Sequence, residues 1–174
     1  MTHPLENKIN APAKDIMDAI LAGFRTQIDI KGKLAELYLY RLLLDLKNRG
    51  IISNVEWLDT DGQPDFRIRY NNNHIIIECK NLRNESYKTT PSYKVEIQKT
   101  RNSKDGTNTR SYRVEQFDIL AVCLFNQTKQ WEFVFINVKD LEKMDGHPEI
   151  LKIMQTTLLR VISSLSSWGG RTLL

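Results

Sequence analysis

Hydrophobic and polar positions alternate with period two in two runs that meet at three asparagines. Phe66, Ile68 and Tyr70 alternate with Asp65, Arg67 and Arg69. Beyond Asn71-Asn72-Asn73, Ile75, Ile77 and Cys79 alternate with His74, Ile76, Glu78 and Lys80. Two alternating runs joined by residues that tolerate positive φ predict a β-hairpin. Paired positions in an antiparallel hairpin have a constant sum, so a turn centred on Asn71–Asn73 sets Asp65 opposite the Glu78–Cys79 region. Side chains two apart share a face, so Glu78 and Lys80 point together, and Asp65 projects toward the same side. Two carboxylates and an ammonium are thereby expected at one end of a hairpin whose other face is apolar.

Upstream the period changes. Ile16, Met17, Ile20, Leu21 and Phe24 fall at helical intervals between Ala11 and Arg25, with Pro12 suited to a first turn, and predict an amphipathic helix packed on the core. A second helix is predicted from Lys33 to Lys47, opened by Gly32 and stopped by Asn48-Arg49-Gly50. Its leucines lie nearly all round, so it should be largely buried. Glu36 sits near its start, where a carboxylate is ordinarily a partner for the helix dipole.

Ile51 to Leu58 reads as a strand ahead of the hairpin. Downstream, Tyr93, Val95 and Ile97 alternate as in a strand, although a helix over Ser92–Asn102 also fits. Phe117 to Phe125 is a nearly continuous apolar run, the pattern of a strand buried on both faces, and Trp131 to Val138 is a neighbouring strand. A closing helix is predicted from Pro148, with Leu151, Met154, Leu158, Val161, Ile162 and Leu165 on one stripe and Gly169-Gly170 as its stop. Trp57, Trp131 and Trp168 read as packing residues. The order of elements predicts an α/β domain built on a mixed sheet of about five strands flanked by helices.

Composition adds limits. A chain of 174 residues with 41% hydrophobic and 26% charged residues is that of one ordinary globular domain. No apolar run approaches the roughly 18 residues that cross a bilayer, and Met1 to Asn10 lacks a secretory pattern. Cys79 and Cys123, each within a predicted strand, read as small core residues of a reducing, cytoplasmic compartment. His3, His74 and His147 match no zinc spacing. The net charge is +4, yet Asn81 to Arg113 alone holds eight Lys and Arg against three acids, interleaved with Tyr87, Tyr93 and Tyr112. Cations mixed with aromatics and short polar side chains suit a phosphate backbone. Lys99, Arg101, Lys104, Arg110 and Arg113 are the candidates for phosphate contact, and Gln98 and Tyr112 for sugar or base edges.

Asp65 after Pro64, a gap of twelve residues, and then Glu78-Cys79-Lys80 resemble the motif of the PD-(D/E)XK nuclease superfamily, which has the restriction-endonuclease-like fold. Gly32-x-x-x-Glu36 on a preceding helix is similar to the first-helix acid of many members, and a basic segment followed by an apolar strand also matches. The resemblance spans about residues 31 to 126 of a single domain, with extra N-terminal and C-terminal helices. The chain departs from the pattern at Tyr93–Gln98, where the family core has a helix. Clustered carboxylates without His or thiolate ligands favour a hard cation, Mg²⁺ with Mn²⁺ as substitute.

The resemblance implies that Asp65, Glu78 and the main-chain carbonyl of Cys79 bind the ion. Glu36 would act through water or at a second ion, and Lys80 would orient the attacking water. It further implies an endonuclease of the type II restriction kind, acting as a homodimer on double-stranded DNA and leaving 5′-phosphates. Two alternatives stay open: a structure-selective nuclease such as a junction resolvase, repair or phage enzyme, or a catalytically idle nucleic-acid-binding module. For the same residues the plain reading is an exposed Asp–Lys or Glu–Lys cross-strand pair.

Overall fold

The computed structural model describes residues 2–60, 63–86, 92–99 and 110–158. The chain forms two compact units, Met1–Leu34 and Ala35–Leu174. The first holds α1 (Pro4–Ile9), α2 (Ala13–Ala22) and the start of α3 (Phe24–Asn48). Neither α1 nor α2 buries a side chain, and Met17, Leu21 and Phe24 are exposed. The expected amphipathic helix is thus formed within this unit; helical spacing defines an apolar stripe but not what covers it. That helix ends at Gly23, earlier than predicted, and α3 begins at once and continues through Gly32. A single glycine inside a helix costs only about 1 kcal/mol, too little to break one anchored further on by burial.

The second unit is a mixed α/β structure around a seven-stranded sheet. Its strands are β1 (Asn54–Trp57), β2 (Phe66–Tyr70), β3 (Asn73–Ser86), β4 (Ser92–Glu96), β5 (Ile119–Cys123), β6 (Phe133–Asn137) and β9 (Met154–Leu158), while β7 (Lys143–Met144) and β8 (His147–Leu151) form a separate ribbon. A short helix, α4 (Phe125–Thr128), links β5 to β6. The predicted hairpin is present, with Tyr70 paired to Asn73 and Phe66 to Ile77. Asn71 and Asn72 make the two-residue turn at φ 44° and 64°, the backbone that matches the twist of paired strands.

β3 organises the sheet. It pairs antiparallel with β2 and then β4, and parallel with β5 from Ile77 to Asn81. A parallel pair needs a long crossover, usually helical. Among the described residues that crossover contains no helix; it runs through β4, which pairs antiparallel with β9 from further along the chain. The strand reading of Tyr93, Val95 and Ile97 thus holds over Ser92–Glu96.

The closing helix expected from Pro148 is not formed over the described residues: this stretch is β8 and β9, and β9 pairs along the whole of β4. Leu151 and Gln155 are buried four residues apart, a spacing that either structure can satisfy. The open edge of β4 and the run of Ile153, Thr156 and Thr157 favour the strand. Val161, Ile162, Leu165 and Trp168 lie outside the described residues.

Two cores lie on opposite faces of the sheet. Ala35, Leu39, Leu43 and Leu46 of α3 pack with Phe66, Ile68, Ile77, Cys79, Ile119, Ala121, Cys123 and Phe135. The other leucines of α3 are only half-buried, so the helix has one buried seam and is not enclosed all round. The second core joins Leu82, Val95, Ile97, Phe117, Leu120, Val122, Leu124, Leu141 and Leu151. All five residues of β5 are buried, as its unbroken apolar run predicts. Cys79 and Cys123 are buried and free. No helix among the described residues is long and apolar enough to cross a membrane.

Candidate active site

The ladder between β2 and β3 ends at Phe66–Ile77, and that between β3 and β4 begins at Leu82–Val95. In the interval lie Glu78, Cys79 and Lys80. The Cys79 N–H there is donated to a side chain, Asp65 Oδ2, at 2.7 Å. Asp65 is itself held at the start of β2, where its carbonyl accepts from Leu58 N at 2.9 Å. The motif aspartate thus ties its own strand to the motif strand.

Glu78 is 2% exposed, the only acidic or basic residue that is buried among those described. A carboxylate is almost never fully buried unless paired, and the pairing here is lopsided. Glu78 Oε1 accepts both from Lys80 Nζ and from the Tyr112 hydroxyl, the latter at 2.5 Å. Glu78 Oε2 is buried with no hydrogen-bond partner among the described residues. Leaving such an atom unmade costs about 1–3 kcal/mol, and more when it is charged. The exposed cross-strand pair of the plain reading carries no such cost and is excluded.

The electrostatics follow from this crowding. Burial, then the charge of Glu78, push the Asp65 carboxyl up to about 7; Glu36 adds to this, while Lys80 and the Cys79 N–H pull against it. Burial alone would loosen the Lys80 proton, but Glu78, Tyr112 and Asp65 outweigh it, so the amine binds its proton more tightly than a free lysine. The Tyr112 hydroxyl is likewise held protonated, chiefly by burial, with Glu78 adding to it and Lys80 opposing. Burial drives the Cys79 thiol well up, which removes it as a nucleophile.

Glu36 approaches from α3. Its Oε2 accepts from the Trp57 indole N–H at 3.1 Å, and Trp57 packs against Tyr40 and Phe66. Glu36 is near enough to Asp65 to raise its pKa. Even so, among the described residues no three or more His, Cys, Asp or Glu side chains gather as a cation cage. What the site could offer a cation is Asp65 and the unpartnered Glu78 Oε2, both hard oxygen donors. That set suits Mg²⁺, which is ordinarily held by one or two carboxylates and completes its shell with water and phosphate oxygens.

The candidates for nucleic-acid contact divide. Lys99 and Arg110 are tied together, Lys99 N donating to Arg110 O at 2.8 Å and Arg110 Nε to Lys99 O at 3.2 Å. Lys99 Nζ lies 5.5 Å from the centre of the Tyr112 ring, and Lys80 Nζ 5.6 Å from it. Lys99 therefore shares the Tyr112 ring with Lys80, and Arg110 is held to Lys99. Gln98 bonds Glu96, which also pairs with Arg83 at 3.0 Å, a neighbouring polar group. Arg113 is exposed and paired with Glu115 at 2.5 Å. Arg101 and Lys104 lie outside the described residues.

Two contacts escape the sequence reading. Tyr112 was expected at sugar or base edges, and the structure puts its hydroxyl on Glu78. Trp57 was expected only to pack, and it also holds Glu36. A buried indole N–H needs a partner, which hints at the second; nothing in a separation of 34 residues hints at the first.

No family model and no curated protein matches this chain. Among solved structures it is similar to that of a bacterial homing endonuclease, I-Ssp6803I, at 14% identity and a TM-score of 0.39, over 64% of this chain and 65% of that one.

Proposed function

We propose that this protein is a metal-dependent endonuclease that hydrolyses DNA phosphodiester bonds at Asp65, Glu78 and Lys80. One observation carries the reading: a fully buried glutamate keeps an oxygen without a partner beside a second carboxylate whose pKa is raised to about 7. Two acids forced together at a cost in stability, close to a basic segment, are the mark of a site built for a cation and an anionic substrate.

Asp65 and Glu78 would hold Mg²⁺ with the Cys79 carbonyl, and Glu36, bonded to Trp57, would act through water. When bound, the ion supplies Lewis-acid polarisation of the phosphate and acidifies water. Lys80 keeps its proton and so serves as a donor, orienting the attacking water and offsetting charge that builds on the phosphate oxygens. This assigns Lys80 no part as a general base, which would require a lowered pKa. Lys99 and Arg110 would steady the backbone next to the scissile bond. The finer reading is a restriction-type enzyme cutting duplex DNA as a homodimer, since two strands require two sites.

The test is incubation of the protein with plasmid, a four-way junction and single strands, in Mg²⁺ and in chelator. Discrete plasmid fragments only in Mg²⁺, abolished by Glu78→Gln, are expected. Cleavage confined to the junction would replace the restriction reading with a resolvase. Absence of all cleavage together with retained DNA binding would leave the idle binding module.

A further inference from the structure

Resting on that reading of the site, we infer that Tyr112 is a positioning residue that decides which oxygen of Glu78 is presented to the cation. The hydroxyl of Tyr112 and the ammonium of Lys80 converge on Oε1, and Oε2 is left buried and unpartnered. A carboxylate rotates about its terminal torsion over a broad range, so the two oxygens are interchangeable unless something distinguishes them. Lys80 alone, on a flexible stem 24% exposed, could follow either oxygen as the group turned.

Tyr112 cannot follow. Its ring stands edge-on against Phe117 at 5.4 Å, an interplanar angle of 81°, and Phe117 is 2% exposed within the second core. The ammoniums of Lys80 and Lys99 flank the same ring, an attraction between cation and π-face that further restricts it. The backbone there is fixed too, since Leu151 N donates to Tyr112 O at 2.8 Å. A rigid donor on Oε1 locks the carboxylate with one oxygen engaged and the other left unpartnered. Glu78 would then offer a cation a single oxygen. That matches the strict octahedral shell of Mg²⁺ and disfavours larger ions such as Ca²⁺, which accept two-oxygen binding.

Tyr112→Phe removes the hydroxyl and keeps the ring. Mg²⁺ and Ca²⁺ binding are measured by calorimetry on the wild type and the variant, with DNA affinity in chelator and cleavage across a Mg²⁺ range. Loss of an outer partner of a metal ligand typically weakens metal binding about 10–100-fold. The variant is expected to bind Mg²⁺ at least about tenfold more weakly, with Ca²⁺ affinity changed less, DNA affinity in chelator unchanged, and cleavage recovered at high Mg²⁺. Equal Mg²⁺ affinity in the two proteins overturns the inference, as does a loss of DNA affinity in chelator, which would make Tyr112 a substrate contact. A wild type that binds no Mg²⁺ overturns the underlying active-site reading instead. Should Tyr112→Phe fail to fold in chelator, the ring signals of ¹³C-labelled tyrosine in the wild type are followed through a Mg²⁺ titration. One tyrosine is expected to shift in proportion to occupancy, and no shift overturns the inference.

Discussion

Odd and even positions of β3 make two different surfaces from one strand. Ile77 and Cys79 enter an apolar core against α3. Glu78, one residue out of phase, is just as well covered although Lys80 beside it is 24% exposed, yet its carboxylate is left with an unmatched oxygen. Equal burial with opposite chemistry separates the reasons for burial. The apolar face is covered because removing it from water stabilises the fold, and the charged face is covered although that destabilises it. The second kind of burial points to chemistry.

The largest effect separating the faces should be on cleavage. Glu78→Gln and Lys80→Met are each expected to reduce the rate about 10²–10³-fold or more while sparing DNA binding, as read by cleavage rate and by a binding titration in Ca²⁺ or chelator. Ile77→Ala should do the reverse. It should lose about 2–5 kcal/mol of unfolding free energy in a urea melt and retain cleavage per folded molecule. A Glu78→Met, Lys80→Met double variant should gain about 1–4 kcal/mol, because replacing a buried ion pair with apolar side chains is often stabilising. A double variant less stable than the wild type would mean that the pair holds the fold together and that the contrast between the faces is false.

A smaller effect concerns pH. In metal-free buffer the folded chain holds a proton on Asp65 up to about pH 7, whereas the unfolded chain releases it near pH 4. The folded state therefore binds more protons in that window. Unfolding free energy attributable to Asp65 should fall as pH rises from about 4 to about 7 and then level off. Denaturant melts across this range should show that slope in the wild type and not in Asp65→Asn. Added Mg²⁺ should flatten it by competing with the proton.

The smallest expected effect is at the flank of the site. Lys99→Ala should reduce the slope of log affinity against log salt by about 1. Arg113→Ala should change it less, since that guanidinium is paired with Glu115. Identical slopes in both variants would remove Lys99 from the interface.

How much was legible follows from the range of each interaction. Strand alternation about Asn71–Asn73, the register bringing Asp65 to Glu78, and the buried run of β5 are local patterns written in side chains two apart, and all three are present. The N-terminal helix was legible as a helix from its apolar spacing, although a stripe does not name its partner. The stretch from Pro148 was misjudged because Leu151, Met154 and Leu158 fit a helical stripe, while the open edge of β4 that recruits β9 exists only once the sheet has formed.

By itself, the sequence determined the hairpin, the identity of the three motif residues and a basic segment nearby, since these rest on period, turn chemistry and charge count. Tertiary structure alone decided that Glu78 is buried with one oxygen engaged, that Tyr112 engages it, and that Trp57 holds Glu36. Those contacts join residues 34 and 21 positions apart. At such separations nothing in local propensity specifies a distance; only the packing of Phe117, Phe66 and their neighbours into two cores does.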